Sequence, residues 1–226
     1  MVHAWSLWRI ARSPLNRQVR QSQSYARRAP TREPYDYVLI LCEGSKTEPN
    51  YFRALRQAYR LSSANVEIAK PGANDPLSIV KKANDRITKD KFDRAYCVFD
   101  RDGWANYDQA LQLAADCQNG RNGRLIAVPS VPCFEIWILL HFVYSTAPYY
   151  EVGRNSACDN VLRALRTHFA DYNKGHQDVY HRVAGQMTRA ITHAQRLADH
   201  NQQTGSINPS TRVHDLVHYL CNLKTP

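Results

Sequence analysis

Apolar positions along the chain follow two regimes. Up to about residue 142, short apolar runs alternate with amphipathic stretches; beyond it, helical spacing alone recurs. The first run, Tyr37-Val-Leu-Ile-Leu-Cys42, shows no polar–apolar alternation, which predicts a strand covered on both faces. It stops abruptly at Glu43-Gly44. A helix is predicted from about Glu48 to Leu61, with Thr47 as its cap and Pro49 in its first turn. Val66-Glu-Ile-Ala69 reads as a short second strand. Asp75-Pro76 opens another helix, in which Leu77, Val80, Ala83 and Ile87 keep helical spacing to about Lys89. Arg94 to Phe99 is the next strand, and it ends in Asp100-Arg-Asp-Gly103. Asn106 is placed to cap a helix from about Tyr107 to Cys117. After a Gly/Asn-rich turn, Arg124 to Val128 forms a strand stopped by Pro129 and Pro132, and Cys133 to Phe142 a very apolar helix.

This alternation predicts an α/β fold, a mostly parallel sheet with helices on its faces. The last third reads as helices over 155–169, 178–201 and 211–223, the last capped by Ser210 or Thr211. The expected organisation is a flexible basic arm over residues 1–34, an α/β core over 35–150, and a helical extension over 151–226 packed on that core.

A hydrophobic fraction of 43% in 226 residues is enough for a sizeable core and excludes wholesale disorder. The longest apolar run, Cys133 to Val143, is broken by Glu135 and His141, so no membrane span is expected. The formal charge of +10 is unevenly spread. Residues 1–33 carry seven arginines and one acid, whereas residues 34–150 carry 14 bases against 13 acids. A basic arm of this kind favours polyanions through counterion release, the plainer alternative being a solubilising tail. Six cysteines without a Cys-x-x-Cys pair suggest a reducing, cytoplasmic setting with no disulfide framework and no structural zinc.

The candidate chemistry lies at the ends of the strands. In an open α/β sheet the carboxyl edge is where sites are built, and Glu43 and Asp100 both fall there. Asp100 and Asp102, two residues apart in extended backbone, point the same way and reach one cation; a solvated turn is the plainer reading. Glu135 lies among Phe134, Ile136, Trp137, Ile138 and Leu139, so burial demands a partner, either a metal or a Lys or Arg. His214 and His218 have the spacing of paired zinc ligands but lack a third, and Cys133 with His141 lacks a group to orient the base. Gly44-Ser-Lys-Thr47 has the end of a phosphate loop without its leading glycine.

Four segments together carry a resemblance. Leu41-Cys-Glu-Gly-Ser-Lys-Thr-Glu-Pro-Asn-Tyr-Phe52, Val98-Phe-Asp-Arg-Asp-Gly103, Pro129-Ser-Val-Pro-Cys-Phe-Glu-Ile-Trp137 and Asn208-Pro-Ser-Thr-Arg-Val-His-Asp215 resemble, in order, the RloB-like family. The likeness runs from about residue 36 to 223 and leaves out residues 1–33. That family looks like a variant of the Toprim fold. The resemblance implies a Toprim-like α/β core and a Mg²⁺- or Mn²⁺-dependent nuclease of antiviral defence, acting on DNA or RNA, often beside an ATPase partner. It implies metal binding by Glu43, Asp100 and Asp102, with Glu48 and Glu135 completing a second cation site and Lys174 as a catalytic lysine. Val131 departs from the family's Ser-Asn-Pro-Cys-Phe-Glu run, which bears on local loop contacts. Two alternatives stand beside this reading: a non-catalytic sensor subunit of an ATPase, and a haloacid-dehalogenase-like phosphatase with Asp100 as nucleophile.

Overall fold

Among the described residues five strands form one sheet in the order β2-β1-β3-β4-β5. The computed structural model describes residues 34–70, 72, 75–101, 103–119 and 124–224. The basic arm and Asp102 thus lie outside the described residues. In chain order the elements are β1 (Val38–Cys42), α1 (Thr47–Ala58), β2 (Val66–Ala69), α2 (Pro76–Asp90), β3 (Arg94–Asp100), α3 (Tyr107–Asn119), β4 (Leu125–Val131) and α4 (Glu135–Leu139). They continue with α5 (Ala157–Arg166), α6 (Val179–Val183), a 3-10 turn (Ala184–Gln186), α7 (Met187–Thr204), β5 (Ser210–Thr211) and α8 (Val213–Asn222). The first four strands are mutually parallel, and β5 alone is antiparallel. The architecture is therefore α/β with a mostly parallel sheet, as the alternation predicts.

Two cores explain why β1 lacks alternation. Val38, Ile40 and Cys42 face α1 and the helices α4–α8, whereas Leu39 and Leu41 face α2 and α3. Successive side chains of a strand point to opposite faces, so a strand covered on both must be apolar throughout. α5, α7 and α8 bury Val161, Leu165, Ala194, Leu197, Leu216 and Val217 in the same cluster as α1. α1 has no side-chain cap, since Lys46 stands at the N-cap and makes no such bond. A missing cap costs about 1 kcal/mol, while burying Tyr51, Phe52 and Leu55 contributes roughly 1.5–3 kcal/mol each, so packing decides.

Several local expectations are corrected. Thr47 caps nothing: it lies inside α1, and its hydroxyl accepts from the Gly175 N–H at 3.0 Å. Asp75 caps α2 as read, accepting from Ser78 N–H at 3.0 Å, but Asn106 spends its amide donor on Asp75 at 2.7 Å and its own oxygen finds no partner among the described residues. β4 runs through Pro129 to Val131. The Pro129 carbonyl accepts from Arg212 N–H at 3.0 Å, so its missing N–H also faces the β5 side, and the ladder to β3 loses nothing. Cys133–Phe142 holds the five-residue α4 and not a long helix; 178–201 breaks at the 3-10 turn; and Ser210–Thr211 is an edge strand ahead of α8.

The reading of no disulfide is also corrected. Cys133 and Cys158 are disulfide-bonded, their Cα atoms 5.8 Å apart and 25 residues apart in sequence. Spacing alone hides this pair, because it forms only when the start of α5 packs against the start of α4. Among the described residues no helix is long and apolar enough to cross a membrane.

Candidate metal centre

Parallel register brings the strand ends to one edge. Cys42 is opposite Val98 and Val98 opposite Val128, so Glu43, Asp100 and the segment leading to Glu135 emerge together. The Glu43 backbone N–H donates to Val98 O at 2.9 Å, and the Asp100 N–H donates to Glu43 Oε2 at 2.9 Å. One cavity of about 220 Å³ is lined by Glu43, Glu48, Asp100, Glu135, Lys46 and Lys174 with the turn 44–47. Every described residue that the sequence reading assigned to the site lines it. Lys174 is exposed as a residue, yet its side chain borders this cavity.

Each carboxylate is held differently. Glu43 also accepts from the indole N–H of Trp104 at 2.8 Å. Glu48 is 6% exposed, and only a glycine at 44 leaves room for its carboxylate, because a Cβ there would sit less than 3.0 Å from its oxygens. Gly44 is needed for space and not for φ, since its φ is not positive. Glu135, 2% exposed, forms no ion pair with a Lys or Arg among the described residues. It accepts from the Tyr172 hydroxyl at 3.0 Å, and the Cys158 sulfur lies 3.6 Å from its other oxygen.

Crowding shows in the protonation equilibria. Burial, then the charges of Glu135 and Glu43, pushes Glu48 up to about 7, against local backbone N–H donors that lower it. Burial raises Asp100 well above the ordinary carboxylate range, with Glu48, Glu135 and Glu43 adding to it and Lys174 opposing it. The donor set is all hard oxygen and lacks enough positive charge to balance it, which fits a divalent cation such as Mg²⁺ or Mn²⁺. No three of these carboxylates come within 4.8 Å of one another; the described group of three that does is Cys133, Glu135 and Cys158. Both of its sulfurs are spent in the disulfide, so it offers no thiolates to a metal.

A pH signature follows. Glu48 has an ordinary value of 4.5 and a folded value of about 7, so its charged form is disfavoured in the native state. Stability of the metal-free protein is retained below about 4.5 and falls as pH rises through about 7, by on the order of 3 kcal/mol for this group. A cation held there would need the ionised form and bind more tightly over the same window. Thermal unfolding at about pH 5.5 and about pH 8 should show Mg²⁺ raising the midpoint more at the higher pH. Glu48→Gln should flatten that difference; an unchanged difference would remove Glu48 from the site.

Trp104, Lys46 and Tyr172 were missed in the sequence. Trp104 follows the Asp-x-Asp-Gly turn directly, a position that could have flagged it; Tyr172 carries no local signal. The other candidates fall elsewhere. His141 is fully buried with Nδ1 on Trp137 O at 3.0 Å, and burial lowers it to about 4. Buried His214 lies 3.3 Å from Asp215, and among the described residues neither it nor His218 joins a group of three metal-ligating side chains.

A sequence model of one protein family, described as RloB-like protein, matches residues 38–220. No curated protein and no solved structure matches the chain.

Proposed function

The chain belongs to the RloB-like protein family, and from that premise we propose that it is a divalent-cation-dependent nuclease of the Toprim type, acting in defence against phage. The observation that carries this reading is the gathering of Glu43, Glu48, Asp100, Glu135 and Lys174 around one cavity at the carboxyl edge of the sheet. Four acids drawn from two strand ends and two helices have no structural use for one another.

Glu43 and Asp100, fixed by the ends of β1 and β3, would hold one cation, and Glu48 with Glu135 a second. Bound there, Mg²⁺ or Mn²⁺ supplies Lewis-acid polarisation of the phosphate and an acidified water. The protein does the rest. Trp104 and the Asp100 N–H orient the two oxygens of Glu43, leaving the carboxylate in one rotamer. Tyr172 orients Glu135. The ammonium groups of Lys46 and Lys174, on the rim of the cavity, meet the negative charge of the phosphodiester as it enters and as charge builds in the transition state. Glu43 would also take a proton from the attacking water.

The test is a cleavage assay on plasmid DNA, single-stranded DNA and bulk tRNA in Mg²⁺ and in Mn²⁺, with wild type beside Glu43→Ala. Cleavage lost in the variant supports the reading and names the substrate. Equal cleavage by both proteins assigns it to a contaminant, and none by either overturns autonomous nuclease activity.

A further inference from the structure

A second cavity, of about 410 Å³, is lined by residues next in the chain to the metal centre and to the disulfide beside it. Its lining includes Arg101, Pro132 and Ala157, the immediate chain neighbours of Asp100, Cys133 and Cys158. Asp100 lines the metal-centre cavity and the Cys158 sulfur lies 3.6 Å from Glu135, so the two cavities are reached from neighbouring residues of the same segments. Tyr149, Tyr150 and Ile207 also line it.

This face is built to stay exposed. Tyr150 is 64% and Ile207 55% accessible, and Val152, two residues after Tyr150 in the chain, is 65% accessible. Large apolar side chains gathered on an otherwise polar surface mark a binding face. The backbone beneath is tied down. Asn208 donates to Tyr149 O at 2.6 Å and accepts from Tyr149 N–H at 3.2 Å, and Asn160 donates to Tyr150 O at 2.8 Å. A ring held out on a fixed backbone loses little freedom when it is covered. The guanidinium of Arg101 lies over the Tyr107 ring at 5.2 Å, and among the described residues no carboxylate forms an ion pair with it. One acid, Glu151, also lines the cavity, next in the chain to Tyr150.

We infer that this cavity is a nucleobase subsite: it holds one unpaired base of the strand whose phosphate enters the metal centre, stacked on Tyr150, with Arg101 on the intervening phosphate. The inference rests on the nuclease reading for its register and extends it to the substrate class, a single-stranded or looped segment. A base inside a duplex keeps its own stacking partners and has no free face to offer.

The test measures binding of labelled six-nucleotide single strands, one DNA and one RNA, and of a duplex, in EDTA and in Ca²⁺. Tyr150→Ala should weaken single-strand binding about 10-fold, within the range for losing one base–aromatic stack, and leave duplex binding unchanged. Tyr150→Phe should restore it. An abasic nucleotide at one position should reproduce the loss in wild type and add nothing in Tyr150→Ala. The ratio should persist at high salt, where contacts of the basic arm weaken. Equal loss for duplex and single strand, a loss indifferent to abasic position, or no loss would overturn the subsite. So would self-association that Tyr150→Ala abolishes without changing oligonucleotide affinity. Binding in EDTA separates the two readings. A stack without cleavage on any substrate keeps the subsite and sinks the nuclease, and Glu43-dependent cleavage with a silent Tyr150→Ala does the reverse.

Discussion

Asp100→Asn should abolish cleavage, by about 10³-fold or more, while making the metal-free protein more heat-resistant. The two effects share one cause. Asp100 stands at the end of β3, where burial first and then the like charges of Glu48, Glu135 and Glu43 raise its proton affinity, with one lysine, Lys174, opposing them. Most point substitutions destabilise, so an increase in stability is a specific signature of removing a charge the fold does not need. Asn keeps the size and leaves the backbone N–H that orients Glu43 in place. What disappears is an anionic oxygen for the cation. Losing an outer-shell partner of a metal ligand typically costs 10–100-fold, and losing a ligand itself should cost more. The measurement pairs a cleavage time course in Mg²⁺ with thermal unfolding in EDTA. A lower unfolding midpoint in EDTA would mean that Asp100 is a structural carboxyl, and retained cleavage would remove it from the chemistry.

The parts of this fold legible in the sequence were those written in contiguous residues. β1 and β3 are unbroken apolar runs that end in Glu43 and Asp100, and an element covered on both faces leaves that pattern and no other. Asp75-Pro76 signals a helix start because a cap and a first-turn proline act within one turn. The two-residue β5 has no periodicity to read, and it exists only because β4 offers it an edge at Ser130 and Val131. Thr47 and Asn106 look like caps locally, yet their polar groups are used by Gly175 and Asp75, from distant parts of the chain. Glu135 shows both sides of this limit. Its burial was evident from its neighbours, but its partner, Tyr172, is 37 residues away in a loop with no pattern of its own. The disulfide failed to show for the same reason. Tyr150, Trp104 and Lys46 are single exposed or rim positions, and exposure of one side chain is decided by tertiary packing.

Gly44→Ala should leave the protein folded and cost it the metal centre. The added Cβ would sit less than 3.0 Å from both oxygens and the carboxyl carbon of Glu48. Those atoms are the far end of a flexible side chain, so the clash is relieved by moving the carboxylate and not the backbone. Gly44 has no positive φ, and alanine therefore adds no backbone strain there. The unfolding midpoint in EDTA should stay close to wild type. The displaced carboxylate, however, loses the Gly44 backbone N–H that now helps hold it, and its place beside Asp100. Mg²⁺ affinity should fall about 10–100-fold, and cleavage by about 100-fold, comparable to losing the support of a metal ligand. The decisive control is the double substitution. In a Glu48→Ala background the space is already vacant, so Gly44→Ala should change neither metal affinity nor activity further. Strict non-additivity would place the whole effect of Gly44 on Glu48. If the two losses add instead, Gly44 serves something other than the carboxylate, and close approach of its backbone to the entering phosphate becomes the explanation to test.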